Sequence, residues 1–126
     1  MSKNGYEDLE VWKLAIGLAK MIYNMTENFP QKEQYGLTNQ IRRSAVSIAS
    51  NIAEGSSRTK TDFARFVIMS IGSNAELKTQ IIIAKEVGYL NGENFIKLSE
   101  VSDQIGRMLK GLQRSLKPNY EPLTTN

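Results

Sequence analysis

Four basic residues late in the chain have the spacing of one helix face. They follow one another at steps of three, four and three residues: Arg107, Lys110, Arg114 and Lys117. Such steps place side chains along one side of an α-helix. A row of cations can contact nucleic-acid phosphates, but it can equally keep a helical bundle soluble. The sequence leaves both interpretations open for this row.

A second basic group comes from a predicted helix and the turn after it. Its members are Arg42, Arg43, Arg58, Lys60 and Arg65. The same two interpretations, phosphate binding and solubility, apply to it. No exposed Tyr or Phe is expected among the residues of either group. The sequence therefore predicts contact with the nucleic-acid backbone or shape rather than stacking on bases.

A polar stripe runs through an otherwise apolar segment. Its members are spaced by four, three, four and three residues: Gln40, Ser44, Ser47, Asn51 and Glu54. A shorter counterpart follows in the next segment: Ser73, Glu76 and Gln80. A solvated face, a catalytic site and buried groups that fix the register between helices or subunits are the three interpretations.

Glu54 is the member of this stripe that needs a partner. It lies at a predicted helix C-terminus, where the helix dipole disfavours a carboxylate by about 0.3 to 1 kcal/mol. Arg58, Arg65 or the free amides that open the next helix are the candidate partners. We therefore predict a structural polar clamp made of Asn51, Glu54, Ser73 and Glu76.

Two residue types that dominate enzyme sites are absent, because the 126 residues include no cysteine and no histidine. Thiol nucleophiles, Cys/His zinc sites and the usual general base near neutral pH are therefore excluded. A carboxylate dyad or a serine–lysine pair stays possible, but neither has a recognisable motif. We expect a protein without enzymatic activity, cofactor, metal or small-molecule substrate.

Four amphipathic segments must position these residues. Apolar residues recur at helical spacing over about residues 8–28, 35–54, 60–87 and 92–116. Gly55 is expected to end the second helix in the left-handed conformation. Thr59 and Asn91 are expected to cap the third and fourth helices. The core stripe expected for the first helix is Leu9, Trp12, Ile16, Ala19 and Tyr23.

Short connections between long helices imply antiparallel neighbours. The sequence therefore predicts an all-α fold, an antiparallel up-down-up-down four-helix bundle in a single domain over residues 1–126. Residues 118–126 are expected to form a disordered tail. No apolar run is long enough to span a membrane, so a cytoplasmic location is expected. The net charge of +3 permits an anionic partner without requiring one.

Two of the helices have more apolar surface than one small bundle can bury. Each carries a second apolar stripe: Val11, Ala15, Leu18, Ile22 and Met25 in the first helix, and Ala64, Ile68, Ile71, Ala75 and Ile82 in the third. Surplus apolar area usually marks an interface, so a homo-oligomer is expected. The alternative is that wide stripes fill a thick core.

Several motifs, taken in order, resemble a known family. They are YEDLEVWK at 6–13, FPxxExYGL at 29–37, QIRRSAVS at 40–47, NIAEG at 51–55, GS at 72–73, EL at 76–77 and GYL at 88–90. The chain thereby resembles the four-helix-bundle family of 23S rRNA intervening-sequence proteins. Glu7 departs from the pattern, because relatives often have a basic residue there.

The resemblance implies a homopentameric ring of four-helix bundles. It also implies a basic surface that engages nucleic acid, as in the similar accessory proteins of diversity-generating retroelements. It carries over structural positions rather than a catalytic set. The resulting hypothesis is a non-enzymatic, pentameric helical-bundle protein that binds structured RNA, such as rRNA, or another nucleic acid through basic faces. A protein-interaction scaffold that binds no nucleic acid is the alternative.

Overall fold

Four α-helices make up most of the chain. The computed structural model describes residues 5–117, in which α1 is Glu10–Met25, α2 is Leu37–Ser56, α3 is Lys60–Glu86 and α4 is Gly92–Ser115. Short 3₁₀ helices occupy Gly5–Asp8 and Gln31–Glu33. Residues 5–117 contain no strand, which confirms the all-α prediction. The predicted tail over residues 118–126 lies outside the described residues.

Each helix packs against two of the other three. α2 and α3 share the most extensive contact, and α1–α2, α3–α4 and α1–α4 complete the set. Within the described part of the chain, α1 makes no close backbone approach to α3, and α2 makes none to α4. The helices are therefore arranged as a bundle in which α1 lies diagonally opposite α3.

Hydrogen bonds between α2 and α3 define the direction of this pair. The Ser44 hydroxyl donates to Gln80, the Ser47 and Ser73 hydroxyls share a bond, and the Ser70 hydroxyl donates to the Ile48 carbonyl. From Ser44 to Ser47 to Ile48 along α2, the bonded residue on α3 moves back from Gln80 to Ser73 to Ser70. These two helices therefore run in opposite directions.

The core is aliphatic and uses one stripe from each helix. Its fully buried members include Leu18 and Ile22 from α1, Ile48 and Ile52 from α2, Leu77 and Ile81 from α3, and Ile105 and Leu109 from α4. The stripe expected for the first helix was wrong, because Ile16 and Tyr23 are exposed. The core instead contains Val11, Ala15, Leu18 and Ile22, which belong to the second apolar stripe that the sequence analysis assigned to an interface. Because α1 lies diagonally opposite α3, only the face of α1 that points between α2 and α4 is buried.

Gly55 does not end α2, which corrects the sequence-based expectation. The helix continues to Ser56, and the described glycines with positive φ are Gly5 and Gly88. A Cβ on Gly55 would lie 2.5 Å from the Cβ of Phe66. Gly55 is therefore required for the close approach of α2 to α3. The left-handed helix end is at Gly88, where φ is 89°.

The remaining helix ends follow from local hydrogen bonds. Thr59 and Asn91 cap α3 and α4 by accepting from the amides of Asp62 and Asn94, as predicted. α1 starts at Glu10 and stops at Met25, within the predicted range of about 8–28. It stops there because the Thr26 hydroxyl donates to the Ile22 carbonyl at 2.7 Å and the chain then turns.

Candidate nucleic-acid interface

The four late basic residues lie on and just after the second half of α4. Arg107, Lys110 and Arg114 belong to the helix, and Lys117 follows its end. All four side chains are exposed, and none forms an ion pair with a carboxylate within residues 5–117. At a rise of about 1.5 Å per residue the row spans roughly 15 Å. We call these residues the α4 row.

A groove between α3 and α4 adjoins this row. It encloses about 380 Å³ and is lined by apolar residues, including Ile71, Ala75 and Gly106, and by Lys78, Asp103, Arg107 and Lys110. Lys78 and Asp103 form an ion pair across it. The first two residues of the α4 row, Arg107 and Lys110, therefore border a partly apolar depression.

The structure divides the second basic group in two. Arg42 and Arg43 lie in the first half of α2, whereas Arg58, Lys60 and Arg65 lie at the turn into α3. The two parts are separated along α2 by roughly 20 Å, given the helical rise. The five residues therefore form two separate groups, one at each end of α2.

The part at the turn is largely neutralised. Arg58 pairs with Glu54 at 3.2 Å, and Arg65 pairs with Asp62 at 3.3 Å. Both guanidinium groups also lie over the ring of Phe66, at 4.9 and 5.1 Å from its centroid. Lys60 is exposed beside them. These contacts hold the turn together and leave it a weaker candidate for phosphate binding than the α4 row.

The other part lines an open depression on the described surface. Its walls come from three helices, it encloses about 620 Å³, and its residues are Tyr23, Asn39, Gln40, Arg42, Arg43, Ser44, Val46, Ser47 and Glu76. We call it the α1–α2 groove. The guanidinium of Arg42 lies 4.6 Å from the ring centroid of Tyr23, which is 45% exposed. An exposed aromatic ring therefore does accompany the arginines, contrary to the sequence-based expectation.

The sequence missed this ring for an identifiable reason. Tyr23 falls in register with Leu9, Trp12, Ile16 and Ala19, so periodicity assigned it to the core. Its partner Arg42 is also held by Tyr23, in the last turns of α1, and by Thr26, just after α1, which lie 19 and 16 residues away in sequence. No local pattern signals a pair of that separation.

The predicted polar clamp is distributed over two sites. Asn51 donates to the Ser47 carbonyl and hydroxyl, and the Ser47 hydroxyl meets Ser73 at 2.9 Å. Glu76 accepts a 3.4 Å bond from Gln80. Glu54 takes no part in this network and pairs with Arg58. We call the α2–α3 network the polar seam, with members Ser44, Ser47, Asn51, Ser70, Ser73, Glu76 and Gln80.

A buried polar pair between α3 and α4 was missed. Asn74 donates to the Ser102 carbonyl at 3.0 Å, and the Ser102 hydroxyl donates back to Asn74 at 2.9 Å. Both side chains are buried. Asn74 occupies a core position of α3 by its spacing, and a polar residue in a core register is the signal that could have identified it.

The two connections at one end of the bundle are also tied together. Glu33 accepts from the Leu37 amide at 3.1 Å and from the Tyr89 hydroxyl at 2.9 Å. The Leu37 amide and, secondly, Tyr89 lower the pKa of Glu33, because both stabilise its charged form. The same bond raises the pKa of Tyr89.

Two further observations concern the described residues alone. None of the helices within residues 5–117 is long and apolar enough to cross a membrane. Over the same range, no three carboxylate residues come together in an arrangement that could hold a metal ion.

Comparisons with known proteins place the chain in a family. Residues 7–111 match the family described as 23S rRNA-intervening sequence protein. A crystal structure of a protein of unknown function from the S23 ribosomal protein family of Bacteroides thetaiotaomicron is similar in fold, with a TM-score of 0.75. It is 20% identical, and the match covers 82% of this chain and 98% of that one. No curated protein matches the sequence. Because the family match extends over most of its length, the chain belongs to the 23S rRNA-intervening sequence protein family.

Proposed function

We propose that this protein is a non-enzymatic, cytoplasmic, homo-oligomeric bundle that binds structured RNA through the α4 row. The observation that carries the proposal is the absence of ion-pair partners for the four cations of this row within the described residues. Arg58 and Arg65, by contrast, already pair with Glu54 and Asp62, whereas Arg42 and Arg43 are also without a carboxylate partner within residues 5–117. An exposed row of uncompensated cations is suited to phosphate groups.

Salt dependence tests this proposal. Binding to fragments of 23S rRNA should weaken steeply as salt rises, because each phosphate contact releases counterions. The logarithm of the association constant should fall linearly with the logarithm of salt concentration, with a slope of about 0.7 to 0.9 per contact. Binding that ignores ionic strength, or no binding at low salt, contradicts the proposal.

Paired charge variants locate the contacts. Replacing both Lys110 and Arg114 with glutamine should reduce the salt slope by about 1.4 to 1.8 and weaken binding. Replacing Lys20 and Lys32, which are exposed elsewhere and carry the same charge, is the matched control. If both double variants weaken binding equally, net charge rather than the α4 row attracts the RNA.

We also propose that the bundles run up-down-up-down and assemble as a pentamer. The opposite directions of α2 and α3 support the first point. Exposed apolar residues on α3 support self-association: Ile68, Met69, Ile82, Ile83 and Val87. Gly72, between them, is exposed with nothing within 4 Å of its Cβ position, so no contact within residues 5–117 offsets its cost of about 1 kcal/mol in a helix interior. A close-packed neighbouring copy would supply that compensation.

A protein-interaction scaffold is the second candidate, favoured by the same apolar residues of α3. In that case the exposed stripe would receive a helix of another protein instead of a second copy. Purification of the tagged protein with and without nuclease separates the two functions. A stoichiometric protein partner that survives nuclease treatment, together with no rRNA binding, favours the scaffold.

A further inference from the structure

Arg42 carries a positive charge that the described structure does not balance. Its Nε donates to the Thr26 hydroxyl at 2.9 Å, and one terminal nitrogen lies 3.5 Å from the Tyr23 carbonyl. These partners are neutral, and Arg42 forms no ion pair within residues 5–117. A half-buried guanidinium held by neutral groups attracts an anion that can reach its remaining N–H groups.

Arg43 adds a second uncompensated cation to the same depression. Its side chain is exposed, and no carboxylate of the described residues pairs with it. Two adjacent arginines in one concave surface provide contacts for neighbouring phosphates of a single strand. The single carboxylate that lines the groove, Glu76, is on α3 and lies beside Gln80. Phosphates are therefore favoured at the α1 side of the groove and disfavoured at its α3 side.

Tyr23 supplies a surface for a base. Arg42 lies over its ring at 4.6 Å and fixes its position, and almost half of the side chain remains exposed. Aromatic rings beside arginines stack on unpaired bases, whatever their identity. The amides of Asn39 and Gln40 line the same groove and can exchange hydrogen bonds with base edges or sugars.

We infer that the α1–α2 groove binds a single-stranded segment of RNA, with Arg42 and Arg43 on its phosphates and Tyr23 stacked on one base. This inference deepens the proposed function, on which it rests, by adding a site for an unpaired segment. The α4 row and this groove then contact different parts of one structured RNA. Bases in a duplex are already stacked on each other, so the groove discriminates against double strands.

The test uses a fluorescently labelled 12-nucleotide oligouridine and the same strand annealed to oligoadenosine. Anisotropy titration of the full chain should show tighter binding to the single strand. Tyr23→Leu should weaken this binding at least about fivefold, the smallest effect typical of a lost stacking contact. Tyr23→Phe retains the ring and should bind like the parent. Arg43→Gln, at an exposed position that does not affect folding, should also weaken binding.

Tyr35→Leu is the matched control. Tyr35 is 90% exposed and does not line the groove, so its replacement should leave affinity for oligouridine unchanged. The inference is overturned if Tyr23→Leu or Arg43→Gln binds the single strand like the parent. It is equally overturned if Tyr35→Leu or Tyr23→Phe weakens binding as much as Tyr23→Leu. Circular dichroism of each variant verifies that the helices are intact.

Failure here is distinguishable from failure of the proposed function. If oligouridine binding is insensitive to Tyr23 while Lys110 and Arg114 still govern binding of rRNA fragments, only the groove is rejected. If rRNA fragments do not bind at low salt either, both the groove and the α4 row are rejected.

Discussion

The Glu33 carboxylate joins the α1–α2 connection to the α3–α4 connection through Leu37 and Tyr89. Its pKa is lowered below the ordinary 4.5, so the folded state prefers the charged form. A lowered carboxyl pKa contributes stability that is present above the unfolded-state pKa and is lost as pH falls through the folded-state value. The contribution of Glu33 is therefore complete at pH 7 and is lost progressively as pH falls below 4.5 and through the lowered folded-state pKa.

Glu33→Gln tests this residue directly. The variant should melt at a lower temperature than the parent at pH 7, because an amide is a weaker acceptor than a carboxylate. The difference should shrink as pH falls below 4.5 toward the lowered pKa of the folded state, since Glu33 in the parent then becomes protonated. Melting curves between pH 3 and 8 measure it. A difference that does not change with pH would mean that glutamine disrupts packing instead.

The close approach of α2 to α3 at Gly55 is tested by adding a methyl group there. Gly55→Ala places a Cβ 2.5 Å from the Cβ of Phe66, which forces α2 and α3 apart. Overpacking of this kind costs about 1 to 3 kcal/mol. Chemical denaturation should therefore show a loss of stability even though alanine is the better helix former.

Gly17→Ala is the matched control for Gly55→Ala. Gly17 is also inside a helix, but nothing lies within 4 Å of its Cβ position. Alanine there should stabilise the chain by up to about 1 kcal/mol. Equal effects of the two substitutions would contradict the close approach of α2 to Phe66.

At the scale of the helices, the Asn74–Ser102 pair fixes α3 against α4. Asn74→Ala leaves the Ser102 hydroxyl without its acceptor and should cost about 1 to 3 kcal/mol. Ser102→Ala should cost less, because the Ser102 carbonyl still accepts from Asn74. A double-mutant cycle should show that the two losses do not add, with coupling of about 0.5 kcal/mol or more.

Thr79→Ala is the control for this cycle. The Thr79 hydroxyl is exposed and bonds only within its own helix, to the Ala75 carbonyl. Its removal should change stability by no more than about 0.5 kcal/mol. Additive losses for Asn74 and Ser102 would show that the pair does not couple α3 to α4.

The existence and order of the helices could be predicted from the sequence, because long segments with period 3.6 leave few alternatives. The caps at Thr59 and Asn91 were also predictable, since a cap depends on residues only three positions apart. Gly55 was misassigned because a left-handed helix end and a close helix approach both favour glycine. The two faces of α1 were exchanged because both are apolar, and only the position of α2 and α4 decides between them.

The candidate site was less predictable than the fold. The α4 row is local, so its spacing identified it. The α1–α2 groove combines Tyr23 with Arg42, which are distant in sequence, and therefore required the structure. The polar stripes on α2 and α3 indicated that these helices meet. Arg58 was among the partners predicted for Glu54, and the structure has this pair, but it lies outside the seam.

At the scale of the whole molecule, the exposed stripe on α3 predicts the behaviour in solution. If the assembly is the proposed pentamer, light scattering should give five times the chain mass of 14.2 kDa. Ile68→Glu places a charge at an exposed apolar position next to Gly72 and should lower that mass, because an unpaired charge is costly in an interface.

Ile96→Glu is the control for self-association. Ile96 is similarly exposed but lies on α4 rather than on α3. The control variant should keep the mass of the parent. A parent protein with the mass of a single chain, or equal effects of both variants, would contradict assembly through α3.

The polar seam has a mechanical consequence. Three of its hydrogen bonds cross from α2 to α3 at successive levels, Ser44–Gln80, Ser47–Ser73 and Ser70–Ile48, so sliding one helix by a turn, about 5.4 Å, would break these three at once. The two helices are therefore expected to move as one rigid unit. A force applied to α2 at Arg43 would therefore be transmitted to α3 through these bonds.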